Sequence, residues 1–252
     1  MRLKITGVPE HFNYPLFQSI QENPSLNFQW EYSPGGTGEM IEKLENGSCD
    51  AAVLLTEGFC KIQSENPKDF IFIDFYISSP LVWGVHCGNQ AKIASIKEVE
   101  GYPVLISRFY SGSHLMFNVL RDREAWTGET NYKLVQNLNG ALDYAKEKSN
   151  FLFLWEKYTT EPYCGNAFKR LSELPTPWPA FVLCLHKRAL EKAQVSRLKQ
   201  QFISLKEKCL EILKSTDIEE RISAFSKLDR EKIQQWKKQT SWYQINEAEL
   251  EL

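Results

Sequence analysis

Apolar and polar positions alternate along the first part of the chain in a way that predicts strands and helices in strict turn. Leu3 to Val8 reads as a short strand ending in a Gly7-Val8-Pro9 turn. Tyr14 to Glu22 spaces its apolar residues as an amphipathic helix, and Asn23-Pro24 stops it. Leu26 to Tyr32 alternates apolar and polar, the period of a strand. Ser33-Pro34-Gly35-Gly36-Thr37-Gly38 is a glycine-rich turn. Glu39 to Glu45 then places Met40, Ile41 and Leu44 on one helix face, with Asn46-Gly47 as the stop. Ala51 to Leu55 is uninterrupted apolar sequence, as in a strand buried on both faces of a parallel sheet, and Phe70 to Ile77 is another. This β-α-β-α-β-α-β order predicts an open parallel sheet with helices on both faces.

A second round begins after Ser78-Ser79-Pro80. Val82 to His86 reads as a strand crossing to another lobe, and Val104 to Ser107 as a short strand. Ser111-Gly112-Ser113 opens a helix carrying Leu115, Met116, Val119 and Leu120. Leu134 to Asn137 is a further strand, Asn139 caps a helix through Lys146, and Phe151 to Trp155 is a strand. Pro175-Thr176-Pro177-Trp178-Pro179 is a rigid connector that cannot be helical, and Phe181 to Leu185 is a last strand. The remainder is helical. Leu198, Phe202, Leu205, Cys209 and Ile212 recur at steps of four and three, Thr216-Asp217-Ile218-Glu219 fits a capping box, and Asp229 to Lys238 forms one more helix. The lysine-rich outer faces read as solvated surface, and the acidic end, Glu247 to Leu252, as a frayed terminus.

Two α/β rounds and a late return strand imply an α/β chain that visits a second lobe and comes back. Lobe one is expected at 1–80 and 184–252 and lobe two at 81–183, with hinges near 78–84 and 178–185. No internal sequence repeat is visible.

Composition narrows the function. The 252 residues are 42% hydrophobic and 25% charged, ordinary globular usage. A net charge of -2 leaves no broad basic field for a phosphate backbone, which argues against nucleic-acid binding. The six cysteines include no CxxC pair and have no histidine near enough to complete a zinc pattern, so they read as reduced, buried thiols. No apolar run approaches the ~20 residues of a membrane helix. Met1 is followed at once by strand-like sequence instead of an export signal, so the expected location is cytoplasmic, or periplasmic if a signal peptide has been removed.

Candidate chemistry clusters after the strands. Ser33, Gly35, Gly36, Thr37 and Gly38 lie between a strand and a helix, where backbone N–H groups and the positive helix end favour a polar or anionic ligand. A ligand-free tight turn is the plain alternative. The segment lacks the Lys-Ser/Thr of a P-loop, so no nucleotide is implied. Arg108, Ser111, Gly112, Ser113 and His114 repeat the device in the second lobe, with serine N-capping as the plain alternative. Thr56, Glu57 and Gly58 follow a buried strand. Glu57 either complements the helix dipole or accepts hydrogen bonds from an amine or ring N–H, and Trp155 and Glu156 offer the same choice. His11 sits in the first β-α loop, either touching ligand or simply exposed. Trp155, Trp83 or Tyr14 would cover an apolar portion of the ligand. No nucleophile elbow, metal-spaced histidines or paired catalytic carboxylates are evident, so no catalytic residue, metal or cofactor is assigned.

The string from Ser33 to Met40, followed by Asp50 to Gly58 (DAAVLLTEG), resembles type 2 periplasmic-binding, or ABC solute-binding, proteins of the nitrate, alkanesulfonate and thiamine-pyrimidine branch. Ser107 to His114 (SRFYSGSH), Phe153 to Thr160 (FLWEKYTT) and Pro175 to Pro179 (PTPWP) are similar to a signal-less subgroup of that branch found in bacteria and fungi. The resemblance covers residues 2 to about 186. It implies two lobes with open mixed sheets, two crossing strands, C-terminal helices packed on lobe one, and a ligand in the cleft, bound by hinge closure without catalysis. It places the pocket at Ser33 to Gly38, Thr56 to Gly58, Ser78 and Ser79, and Arg108 to His114. An ABC permease would be the partner of exported relatives, a role the absent export signal puts in doubt. A fungal enzyme that makes the thiamine pyrimidine shares the fold, with iron and pyridoxal phosphate, but its cysteine-rich motif is missing here. A ligand sensor acting through a protein partner is the remaining alternative.

Overall fold

The computed structural model describes residues 2–192 and 195–242. Internal contacts divide the chain into two compact units: unit 1 runs up to Ser79 and resumes at Trp178, and unit 2 is Pro80–Pro177.

In unit 1, β1 (Leu3–Gly7) leads through a 3-10 turn at His11–Asn13 into α1 (Tyr14–Glu22), with Pro15 in the first turn, where no N–H is needed. β2 (Phe28–Tyr32), α2 (Thr37–Glu45), β3 (Ala51–Leu55), α3 (Thr56–Glu65) and β4 (Phe70–Gly88) follow. β1 is central, pairing in parallel with β2 and with β3. β2 begins at Phe28 and not at Leu26, because Pro24–Leu26 turns as a 3-10 helix and Asn27 is left-handed, with φ 57. One core gathers Met40, Leu44, Leu54, Phe59, Ile62 and Val182.

β4 runs unbroken through Ser78-Ser79-Pro80 and joins Phe70 to Ile77 with Val82 to His86, which the sequence reads as two separate strands. The backbone N–H groups of Ser78 and Ser79 both donate to the carbonyl of Ser241, at 2.9 and 3.4 Å, so a distant segment satisfies the extended backbone there.

From Pro80 the strand belongs to unit 2, which adds β5 (Val104–Ile106), α4 (Gly112–Arg123), β6 (Tyr132–Leu134), α5 (Leu138–Glu147), β7 (Leu152–Glu156), the single turn α6 (Lys157–Thr160) and β8 (Phe168–His186). β5 is central, parallel to β6 and β7, and β7 pairs antiparallel with Trp83–His86 of β4. Leu105, Ala141, Phe151, Phe153 and Phe168 form a core. α5 is capped by Asn137, whose Oδ1 accepts the Gly140 N–H at 3.1 Å; Asn139 lies inside the helix and does not cap it. The proline-rich stretch is no separate connector but part of β8. Pro175, Pro177 and Pro179 are alternate residues, so their missing N–H groups all face one edge and the other edge keeps its donors.

β8 returns to unit 1, where Phe181–Leu185 pair antiparallel with β3; residues 178–183 therefore fall in unit 1. α7 (Ala189–Lys192), α8 (Val195–Leu213), α9 (Ile218–Ser226) and α10 (Arg230–Gln239) complete it. α8 packs on α1 and buries Leu198, Phe202, Leu205 and Cys209, the residues its spacing predicts. The expected capping box does not form: Asp217 is the N-cap of α9 but its side chain makes no capping bond. The acidic segment 247–252 lies outside the described residues. Among the described residues no helix is long and apolar enough to cross a membrane.

Each unit repeats one topology without repeating sequence. Three parallel strands carry an antiparallel one beside the third: β2-β1-β3 with β8, and β6-β5-β7 with β4. The carboxyl ends of the parallel strands are where open α/β sheets receive ligands. By position the Arg108 loop after β5 answers to the His11 loop after β1, and not to the glycine-rich turn after β2.

Candidate functional site

In unit 1 the starts of α2 and α3 lie side by side. A Cβ built on Gly58 would meet Thr37 Cγ2 at 2.5 Å, so the bare backbone at 58 is what lets the two helix starts touch. Gly36, at φ 73 and ψ −157, holds a conformation nearly confined to glycine. The turn's donors are not free. Gly35 N–H donates to Glu39 Oε2 at 2.6 Å, and Gly36 N–H to the Ser33 carbonyl at 3.1 Å. Against the effect of burial, bonds from Lys43 and from the Gly35 N–H hold the Glu39 carboxyl below its ordinary range. Ser33 is buried, and its hydroxyl lies 2.7 Å from that of Thr6. The expectation that the N–H groups from 35 onward await an anion is thus corrected at Gly35 and Gly36: the helix supplies its own carboxylate. Thr37 and Gly38 stand in the first turn of α2.

At the end of β3, the Thr56 hydroxyl donates to the Pro179 carbonyl, which ties β3 to β8. Glu57 Oε2 accepts the Trp178 indole N–H at 3.1 Å, while Oε1 is buried with no hydrogen-bond partner. Burial raises the Glu57 pKa, opposed by its own backbone N–H and by Trp178. His11 is 1% exposed, set edge-on to Trp236 at 4.8 Å; burial lowers its pKa to about 3, so it is a neutral core residue and not an exposed loop histidine. Tyr14 is also buried, its phenol accepting Arg221 Nε at 3.1 Å. Ser78 and Ser79 are engaged by Ser241: Ser78 Oγ donates to its carbonyl at 3.1 Å and Ser79 Oγ accepts its N–H at 3.0 Å.

In unit 2, α4 opens on Ser111, whose Oγ accepts the His114 N–H at 3.4 Å. Gly112 is the first helical residue. Ser113 turns inward and its Oγ accepts the Ser107 N–H at 3.0 Å. His114 Nδ1 accepts the Tyr110 N–H at 3.1 Å, which leaves Nε2 as the protonated nitrogen of a neutral ring; burial, then the Arg121 charge, lowers its pKa. Tyr110 has φ 63, and Phe109 and Tyr110 are 50% and 80% exposed. Both rings meet His114 edge-on, at 5.5 and 6.0 Å. Arg108 is exposed, and among the described residues its guanidinium has no ion-pair or hydrogen-bond partner, although desolvation by the surrounding protein still lowers its pKa.

At the end of β7, Glu156 is buried and caps α6: Oε2 accepts the Thr159 N–H at 2.6 Å and its hydroxyl at 2.7 Å. Burial raises its pKa against those bonds. Trp155 stacks on Phe153 with ring centroids 5.4 Å apart, and Trp83 is buried. His86, fully buried, donates from Nδ1 to the Phe153 carbonyl at 3.2 Å and accepts Arg170 Nε at Nε2 at 3.4 Å; burial, with the Arg170 charge, lowers its pKa to about 3. This His86–Arg170 contact and the Trp178–Glu57 bond were not foreseen, because each joins residues far apart in sequence. Cys49, Cys87, Cys184 and Cys209 are buried, Cys164 is half-buried and Cys60 is exposed. Among the described residues no group of three or more His, Cys, Asp or Glu is placed to hold a metal ion.

The family model described as Ca3427-like PBP matches residues 83–174, which include the SRFYSGSH and FLWEKYTT strings. No curated protein matches the chain in sequence. Among solved structures, the Candida albicans CA3427 gene product, described as having the generic periplasmic binding protein fold, is 25% identical, with a TM-score of 0.85 over 96% of this chain and 82% of that one. The ligand-binding component of an ABC-type import system from Staphylococcus aureus is 14% identical, with a TM-score of 0.73 over 96% of this chain and 85% of that one. The alkanesulfonate-binding protein SsuA from Xanthomonas axonopodis pv. citri, bound to MOPS, is 12% identical, with a TM-score of 0.74 over 97% and 87%. The resemblance to type 2 binding proteins is borne out: the chain has the periplasmic-binding-protein fold, and its second unit carries the Ca3427-like pattern.

Proposed function

We propose that the protein binds a small molecule carrying an anionic group, does no chemistry on it, and holds the anion at Arg108 and the opening of α4. The observation that carries this reading is the Arg108 guanidinium, a partly desolvated cation with no counter-charge among the described residues. A planar guanidinium grips carboxylate, sulfonate or phosphate groups with paired hydrogen bonds. The positive end of α4 favours the same sign of charge. The exposed rings of Phe109 and Tyr110 beside it offer an apolar cover for the body of the ligand. Solved neighbours described as sulfonate-binding proteins agree with an anionic ligand, at the level of fold.

An import permease is the partner this fold suggests, by the description of the Staphylococcus aureus neighbour. The test is calorimetry of the purified protein with short sulfonates, carboxylates and aminopyrimidines, repeated on Arg108→Met. Binding of the anions, weakened at least about tenfold by the substitution, is expected. Anion binding indifferent to Arg108 overturns the assignment.

A further inference from the structure

We propose that the turn carrying Arg108 is a pH-operated switch, in which a proton taken up by His114 releases the Tyr110 N–H and turns over the peptide between Phe109 and Tyr110. Every group involved belongs to unit 2, and the switch does not depend on what Arg108 binds. The turn is fastened at its ends by Ser111, whose N–H and hydroxyl both donate to the Arg108 carbonyl, at 3.3 and 2.7 Å. Of its two central residues only Tyr110 has a positive φ, 63. That is the sign pattern of a type II turn, which asks for glycine at its third position. A tyrosine there is strained, and His114 Nδ1, which accepts its N–H at 3.1 Å, helps to hold it.

Only a neutral ring can accept that bond. An imidazolium carries a proton on both nitrogens, so protonation sets Nδ1–H against the Tyr110 N–H. Turning the central peptide over resolves this. It brings the Phe109 carbonyl, an acceptor, to where the N–H stood, and returns Tyr110 to a negative φ. The charged and titratable groups facing the ring are Arg121 from its own helix, Tyr132 of β6 with ring centroids 5.0 Å apart, and Tyr110 at 6.0 Å. Burial and then the Arg121 charge disfavour the imidazolium in the closed turn. The stability of the closed turn is therefore fully present above the ordinary histidine value of 6.5 and is lost as the pH falls through the lower value of the closed state. The moving side chains, Phe109 and Tyr110, are exposed, so no core is disturbed. The bonds of Ser111 do not involve the imidazole, so α4 keeps its cap.

The experiment is NMR of the isotope-labelled full chain without ligand, following the His114 ring and the Tyr110 amide from neutral to acidic pH. At neutral pH a strong Overhauser contact between the Phe109 Hα and the Tyr110 N–H is expected, the mark of a type II turn. In acid it should give way to a contact between the N–H groups of Phe109 and Tyr110, with the midpoint of the His114 titration and below 6.5. His114→Gln carries an acceptor and cannot titrate, and should keep the neutral-pH pattern throughout. A His114 ring that titrates while the Tyr110 contacts stay unchanged overturns the switch. So does a turnover at a different midpoint, one that persists in His114→Gln, or a ring that takes up no proton before the protein unfolds in acid. Should the variant fail to fold, the two midpoints of the wild type decide the matter alone.

Discussion

The Trp178 indole N–H donates to Glu57 Oε2 at 3.1 Å across 121 positions of sequence, and leaves Oε1 of the same carboxylate buried and without a partner. Burial makes Glu57 a costly charge to keep, and the Trp178 bond offsets part of that cost. Its folded pKa is raised above the 4.5 of a free glutamate, chiefly by burial. The stability this group contributes is therefore fully present below pH 4.5 and is lost as the pH rises through the folded value. Glu57→Gln removes that loss. Its melting temperature is expected to exceed that of the wild type by roughly a few degrees near neutral pH, the gap closing toward pH 4.5. Thermal denaturation of both proteins across that pH range checks this, and parallel profiles count against a strained Glu57.

The contact between Gly58 and Thr37 gives a second expectation. Gly58→Ala drives its Cβ into Thr37 Cγ2 and should destabilise unit 1 by about 1–3 kcal/mol. Thr37→Ser deletes that methyl group and should restore most of the loss in the double variant, a positive coupling measurable by urea unfolding. Independent, additive effects would mean that the helix starts adjust separately. Gly36 is a poor place for the same test, because nothing lies within 4 Å of a Cβ there, yet its φ of 73 strains any other residue.

Ser111 and Ser113 should differ sharply at the opening of α4. Ser113→Ala removes the acceptor of the buried Ser107 N–H and should cost about 1–3 kcal/mol. Ser111→Ala removes an N-cap bond of 3.4 Å and should cost no more than about 1 kcal/mol. Denaturant midpoints of the two variants decide it: the reverse order would mean that Ser111, and not Ser113, anchors the loop that carries Arg108.

Much of the architecture was legible because it is local. The apolar period gave α1 at Tyr14–Glu22, and the continuous apolar run gave β3 at Ala51–Leu55. Where the reading failed, residues far along the chain decide the outcome. Ser78-Ser79-Pro80 reads as a break between two strands, yet it is extended, with Ser241 meeting the N–H groups of Ser78 and Ser79. Pro175 to Pro179 looks like a linker, yet alternate prolines spare one edge of β8. The places of Arg108, Ser111 and Ser113 could be read from a strand followed by serines. The burial of His11 could not, because the ring covering it, Trp236, comes from the penultimate turn of α10.

Unit 2 is one uninterrupted stretch, whereas unit 1 is built from both ends of the chain. On a ribosome, the sheet of β5, β6 and β7 can therefore form while β3 still lacks its neighbour from β8. Unit 1 has to keep its exposed strand edge unpaired throughout that interval, and the seam at Ser78 and Ser79 closes only once Ser241 has emerged. Synthesis thus imposes an order of assembly in which unit 2 can mature before unit 1.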